Sequence, residues 1–219
     1  MKKARTTEVI KGKITEIFFS LQGEGYYCGM PCWFVRFSGC DKNCSYCDTL
    51  YAKTEGSFMT VEKVLRRIRG NAPVVITGGE PTLQGEFLSG LLAKLKGRSV
   101  FIETSGSKFL ADPAAFEHIS FHAELPLSPA DRKFIRNISV CPFTLKIVVT
   151  SDVKYKEVHS AGRYLGRFAN SSIVLQPVTI KNKIDKCALA KAVLFAGRLQ
   201  RVYKNVRVLP QIHKLLDLK

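Results

Sequence analysis

The amino-acid sequence predicts an α/β fold, a single domain spanning residues 1–219 whose parallel sheet curls into an incomplete, open barrel. Two observations predict it. Short β-branched and aromatic runs alternate with segments carrying apolar residues at helical spacing, and such alternation implies parallel strands joined by right-handed crossovers. Six such units fit into 219 residues, too few for a closed eight-stranded barrel. Polar, glycine-bearing segments follow the strand candidates, as they do where a site is built beyond the C-terminal ends of barrel strands.

The elements follow in order. A run from Ile14 to Phe19 comes first, and strands are then expected over 33–37 (WFVRF), 74–77 (VVIT), 100–103 (VFIE), 119–123 (ISFHA), 145–149 (LKIVV) and 173–176 (IVLQ). Between them, 60–69 reads as a helix with Thr60 as its cap and Val61, Val64, Leu65 and Ile68 on one face. Residues 85–96 and 153–168 have the same periodicity, and Asp185 caps a last helix over 186–199.

With 46% apolar residues the chain can bury one sizeable core, and it shows no linker, internal repeat or low-complexity tract. Its charge-rich stretches are the two ends and 181–186. The net charge of +16, from 34 Lys and Arg against 18 Asp and Glu, suits an anionic substrate, RNA or an acidic electron donor. The basic residues are spread along the chain with no RNA-binding motif, so nucleic acid is disfavoured as a partner. No apolar stretch follows MKKARTTEVIKGK, so neither a signal peptide nor a membrane span is expected. Seven cysteines, an odd number, argue against a disulfide framework and for a reducing cytoplasmic setting.

Three of those cysteines carry the chemistry. Cys40, Cys44 and Cys47 stand in SGCDKNCSYCDT with C-x3-C-x2-C spacing. A [4Fe–4S] cluster normally takes four thiolates, so a compact trio in a polar loop suits a cluster whose fourth iron accepts an outside ligand. S-adenosylmethionine fits that vacancy: its amino and carboxylate groups chelate the iron, and one electron splits its sulfonium to a 5′-deoxyadenosyl radical. A zinc knuckle fits less well, because structural zinc wants four ligands and the histidines, at 118, 122, 159 and 213, lie far downstream without paired spacing. Cys28 and Cys32 read as packing residues leading into Trp33-Phe34-Val35, with a redox pair or auxiliary metal site as the alternative.

The segments after the strands converge with the cysteine loop on one rim: Gly78-Gly79-Glu80-Pro81, Thr104-Ser105-Gly106 and Pro177-Val178-Thr179. A Gly-Gly pair lets backbone approach a ligand closely, and Glu80 offers a carboxylate to an ammonium group.

These residues resemble the radical S-adenosylmethionine superfamily and, within it, the 7-carboxy-7-deazaguanine synthase family. Gln22-Gly23-Glu24-Gly25, Asp48-Thr49 after the third cysteine and the ending Leu209-Pro210-Gln211-Ile212-His213-Lys214 carry the narrower resemblance, which spans nearly the whole chain. It implies a modified partial (β/α)6 barrel, a homodimer, and rearrangement of 6-carboxy-5,6,7,8-tetrahydropterin to 7-carboxy-7-deazaguanine with loss of ammonia, in queuosine and 7-deazapurine synthesis. It also implies Mg²⁺, a cation suited to oxygen ligands, and a flavodoxin or ferredoxin as reductant.

The same resemblance implies roles for single residues. Thr49 is the magnesium ligand, and Leu21, Gln22, Gly23, Glu24, Arg36 and Thr77 are substrate contacts; Arg36 has the planar fork that holds a carboxylate by two hydrogen bonds. Tyr46, Cys47, Asp48, Gly79, Glu80, Glu103 and Thr104 bind the cofactor. So do Ser128 and Pro129, and Gln176, Pro177, Val178 and Thr179. Two positions depart from the pattern: Ala130 stands where a lysine is expected, and Lys219 ends the chain where some members have a proline. Two other readings stay open, a glycyl-radical-enzyme activase and a non-enzymatic metal- and RNA-binding protein.

Overall fold

The computed structural model describes residues 9–218; the first eight residues and Lys219, with the expectation attached to that lysine, lie outside the described residues. In chain order the elements are β1 (Lys11–Leu21), β2 (Pro31–Phe37), β3 (Ser57–Thr60), α1 (Val61–Leu65), β4 (Val74–Gly78), α2 (Gly85–Lys94), β5 (Val100–Thr104), β6 (His118–His122), α3 (Pro129–Ile138), β7 (Phe143–Val149), α4 (Tyr155–Leu165), β8 (Ser171–Pro177), β9 (Thr179–Ile180), β10 (Lys183–Ile184), α5 (Lys186–Leu199), β11 (Val206–Val208) and α6 (Ile212–Leu215). Among the described residues no helix is long and apolar enough to cross a membrane.

One sheet organises them, in the order β11-β8-β7-β6-β5-β4-β2-β1-β3. The six expected strands, β2 and β4 to β8, pair in parallel as consecutive neighbours, and β11 adds in parallel to β8. The N-terminal run is longer than the hydrophobic stretch suggested: β1 pairs antiparallel with both β2 and β3, with a bulge near Ile14 and Glu16. Among the described residues β11 and β3 form the two edges of the sheet and do not pair with each other, so the barrel is open.

Thr60 and Asp185 cap α1 and α5 as expected, accepting from the backbone N–H of Lys63 and Ala188. Helix α1 stops at Leu65, well short of residue 69. Helix α3 departs from the sequence-based expectation. Its signal is a capping box in which the Ser128 side chain accepts from Asp131 N while Asp131 accepts from Ser128 N, with Pro129 at the first helical position. The crossover from β5 to β6 has no α-helix, only a 3-10 turn at Pro113–Ala115.

Side-chain alternation along the strands gives the sheet two unlike faces. Val35, Phe37, Ile76, Ile102, Phe121 and Leu145 join the core beneath the helices. The other face lines the barrel interior, apolar at its base, where Cys32, Phe34, Val75 and Phe101 pack together, and charged at the C-terminal end, where Arg36, Glu103 and Lys146 project.

On the base side, His118 is buried with its Nε2 2.7 Å from Thr144 Oγ1, which lies 2.6 Å from Ser172 Oγ. The Tyr26 ring stacks on its imidazole and the Tyr27 ring meets it edge-on. Burial pushes the imidazole down to about 4. The unfolded chain, whose histidine titrates near ~6.5, therefore takes up a proton that the native state refuses. Stability from this group is complete above about pH 6.5 and is lost as pH falls towards 4, by roughly 3 kcal/mol. Urea unfolding followed from pH 7 to pH 4 is expected to show a decline to which buried His122 also contributes, and His118→Asn to remove only the share of His118.

Candidate active site

The cysteine loop starts where β2 ends. Phe37 is in register with Gly78 of β4, which sets the turns after the two strands side by side. Gly79 N donates to Phe37 O (2.9 Å), Glu80 N to Gly39 O (2.7 Å), and Gly39 N to Ala52 O (2.8 Å), closing the loop. Gly39 has φ of 94°, the left-handed region that favours glycine. At Gly79 the reason for glycine is proximity: a Cβ would lie 2.1 Å from Gly39 O. Cys40, Cys44 and Cys47 are free, partly buried thiols that line one cavity at the C-terminal ends of the strands. Cys32 is buried in the apolar base, and burial pushes its thiol up to about 12, an environment that leaves a packing role and an inert thiol.

Glu80 does not reach the cavity. It is fully buried, and its carboxylate accepts from Thr82 N, Thr82 Oγ1, Thr104 Oγ1, Ser105 N and Ser105 Oγ at 2.6–2.9 Å. Five donors saturate it, so Glu80 fixes the turns after β4 and β5, while Gly79, Thr104 and Ser105 face the cavity.

A polar chain runs along the cavity lining. Lys146 Nζ lies 2.5 Å from Glu24 Oε2 and 3.1 Å from Glu103 Oε2. Gln22 Nε2 donates to Glu103 Oε1 (3.2 Å), and Gln211 Nε2 donates to Glu24 Oε1 (2.6 Å) and Asp48 Oδ2 (3.0 Å). Lys214 Nζ is 3.1 Å from the same Asp48 oxygen. Burial opposes charge on Lys146, Glu24 and Glu103, and the pairing decides the outcome. The Lys146 ammonium is held well above its usual range by Glu103 and Glu24. Burial would raise Glu24, but Lys146 brings it below the usual carboxylate range. Glu103 stays raised, by burial and then by the Glu24 charge, against the pull of Lys146. Glu24, Asp48 and His213 bring ligand atoms within 4.8 Å of one another, but the two lysines already satisfy the carboxylates, so this group is an ion-pair cluster.

Arg36 lines the cavity with its Nε donating to Glu16 Oε1 (2.8 Å) and its guanidinium carbon 5.5 Å from the centre of the Phe18 ring. Tyr51 Oη donates to the same Glu16 oxygen. Both terminal nitrogens of Arg36 stay free of bonds within the described residues, as a carboxylate ligand requires. Thr49 precedes a 3-10 turn, Leu50–Lys53, and makes no side-chain cap bond to it. Its hydroxyl faces the cavity 3.9 Å from Cys47 Sγ. Tyr46 Oη is 3.1 Å from His122 Nε2, and burial followed by the Lys146 charge holds that imidazole down to about 4.

Leu21, Gln22, Gly23, Glu24, Thr77, Tyr46, Asp48, Glu103, Gln176, Val178 and Thr179 line the cavity, as their implied roles require; Ser128, Pro129 and Pro177 stand apart from it. Residues the sequence reading did not assign also line it, notably Lys146, His122, Gln211 and His213. A lysine at the second position of the otherwise apolar run LKIVV was the legible signal for the first of them. The wall also suits a cofactor chemically: Gln176 Oε1 and Thr179 Oγ1 are buried without a hydrogen-bond partner, and an adenosyl group carries donors for such oxygens.

Comparison with known proteins follows the same lines. Residues 34–126 match the Radical SAM superfamily. The 7-carboxy-7-deazaguanine synthase of Chlorobaculum tepidum is 35% identical over 218 residues, covering 93% of each chain. The chain belongs to the 7-carboxy-7-deazaguanine synthase family. Another 7-carboxy-7-deazaguanine synthase, from Thermoplasma acidophilum, is 30% identical over 214 residues, 93% of this chain and 96% of its own. The crystal structure of QueE from Escherichia coli shares the fold, with a TM-score of 0.63 at 23% identity over 92% of this chain and 94% of that one.

Gly79→Ala forces a Cβ against Gly39 O and is expected to displace the cysteine loop. Iron and sulfide bound after anaerobic reconstitution should fall to less than about half of wild type, while a urea melt shows that the barrel still folds.

Proposed function

We propose that this chain converts 6-carboxy-5,6,7,8-tetrahydropterin to 7-carboxy-7-deazaguanine with loss of ammonia, as a cytoplasmic, single-domain homodimer. The observation that carries the reading is one cavity with the three cysteines on its rim and the free terminal nitrogens of Arg36 in its lining, in a chain 35% identical to a named synthase over nearly its full length. When bound, the [4Fe–4S] cluster and S-adenosylmethionine supply a carbon-centred radical that takes a hydrogen atom from the substrate.

The chain's residues bind, orient and exclude water. Cys40, Cys44 and Cys47 hold the cluster. Gly79 brings backbone close to the methionyl end, and Gln176 and Thr179 offer unpaired oxygens to the adenosyl group. Arg36 grips the pterin carboxylate with its two terminal nitrogens, and Glu16 keeps the guanidinium plane fixed through Nε. Leu21, Gln22 and Gly23 read the pterin edge, and the hydroxyl of Thr49, which makes no cap bond to the turn that follows it, is the protein's ligand to Mg²⁺. The excess of positive charge suits an acidic flavodoxin or ferredoxin as reductant.

A glycyl-radical activase would share the cysteine trio, but the match over nearly the full length of the chain is to a synthase of a small molecule. A zinc- and RNA-binding protein has no use for Arg36 and Lys146 inside the barrel.

The test is anaerobic turnover of 6-carboxytetrahydropterin with reconstituted enzyme, reductant, S-adenosylmethionine and Mg²⁺, with product identified by mass. Cys44→Ala should abolish turnover. Arg36→Ala should raise KM about 10- to 100-fold, the loss of one or two charge-assisted hydrogen bonds, and Thr49→Ala should weaken the Mg²⁺ dependence. Cleavage of S-adenosylmethionine without deazaguanine would overturn the substrate assignment.

A further inference from the structure

We infer that Lys146 is a positioning residue for both ligand subsites, one ammonium group clamping Glu24 on the substrate side to Glu103 on the cofactor side; the inference rests on the subsites proposed above. Glu24 belongs to the turn after β1 and Glu103 to β5, and Lys146 projects from β7 to meet both, at 2.5 and 3.1 Å. All three side chains are more than four-fifths buried. Each carboxylate spends its other oxygen on a glutamine, Glu24 on Gln211 and Glu103 on Gln22.

Two carboxylates this close in a buried site repel and lose hydration, so without a cation between them one protonates or rotates away. Either event would change the donor and acceptor pattern that a bound ligand meets. A role in proton transfer fits poorly, because both carboxylates hold the Lys146 proton in place. What the geometry provides instead is a shared hinge-pin: the order of the Glu24 turn depends on the same ammonium that orders Glu103.

Affinities of cluster-reconstituted protein for S-adenosylmethionine and, separately, for 6-carboxytetrahydropterin, measured by anaerobic equilibrium dialysis without reductant, test this. Lys146→Met should weaken both by at least about tenfold, the effect of unpairing a buried charge, and Lys146→Arg should restore part of each. In a Glu103→Gln background the loss in S-adenosylmethionine affinity should vanish, and in a Glu24→Gln background the loss in pterin affinity should vanish.

Unchanged affinities in folded Lys146→Met, or equal losses in every background, would overturn the inference, since a merely structural role predicts the latter. If Lys146→Met does not fold, Lys146→Gln compared with and without Glu103→Gln makes the same distinction. Wild type that binds S-adenosylmethionine but no carboxypterin would sink the substrate reading alone, and the Glu103 comparison would still decide the role of Lys146.

Discussion

The backbone bonds that join the turns after β2 and β4 are the constraint on which the rest of the site depends. Parallel register places Phe37 beside Gly78, and from that point the chain has little freedom. Gly79 and Glu80 donate to Phe37 and Gly39, so the Gly-Gly turn and the cysteine loop are one hydrogen-bonded unit. Glu80 extends the unit to β5 through Thr104 and Ser105. A buried carboxylate is costly unless its lone pairs are matched, and here that requirement is turned into rigidity: Glu80 can only be buried if the turns after β4 and β5 hold their places.

The barrel interior shows a second compromise. A parallel sheet buried on both faces usually reads as continuous apolar runs, and the strands here obey that rule on the helix side alone. Towards the C-terminal ends the interior face carries Arg36, Glu103, His122 and Lys146, each with a partner. Charge inside a barrel is tolerated because signs alternate across it, and the unequal pull on Glu24 and Glu103 by one lysine leaves the two carboxylates with unlike character.

Most of the architecture was legible in the sequence, because strand runs and capping residues are local signals. The six parallel strands and the Thr60 and Asp185 caps follow from residues within a few positions of each other. Helix α3 was equally local, its Ser128–Asp131 capping box lying in plain view, but the same residues also resemble a cofactor-binding motif and that reading competed with it. Most of the implied site residues meet in one cavity because they sit at strand ends. The role of Glu80 was not legible: a carboxylate after Gly-Gly reads as a ligand for an ammonium, and only tertiary contacts with Thr82, Thr104 and Ser105 reveal that it has no capacity left. Pairings such as Lys146 with Glu24, 122 positions apart, leave no local trace.

One stretch of the cavity wall joins segments far apart in the chain. Ile212 N donates to Gly23 O, and Gln211 reaches Glu24 across 187 positions. Contacts of such long separation bear the full entropy of loop closure and are gained late in folding. The strands and the cysteine loop, built from nearer neighbours, are therefore in place before this part of the wall, and without the 211–214 segment Glu24 and Asp48 lack Gln211 and Lys214 as partners. A wall held by so distant a pairing can open without disturbing the strands or the cysteine loop, because the bonds of Gln211 and Ile212 to Glu24 and Gly23 are separate from those that join the turns after β2 and β4.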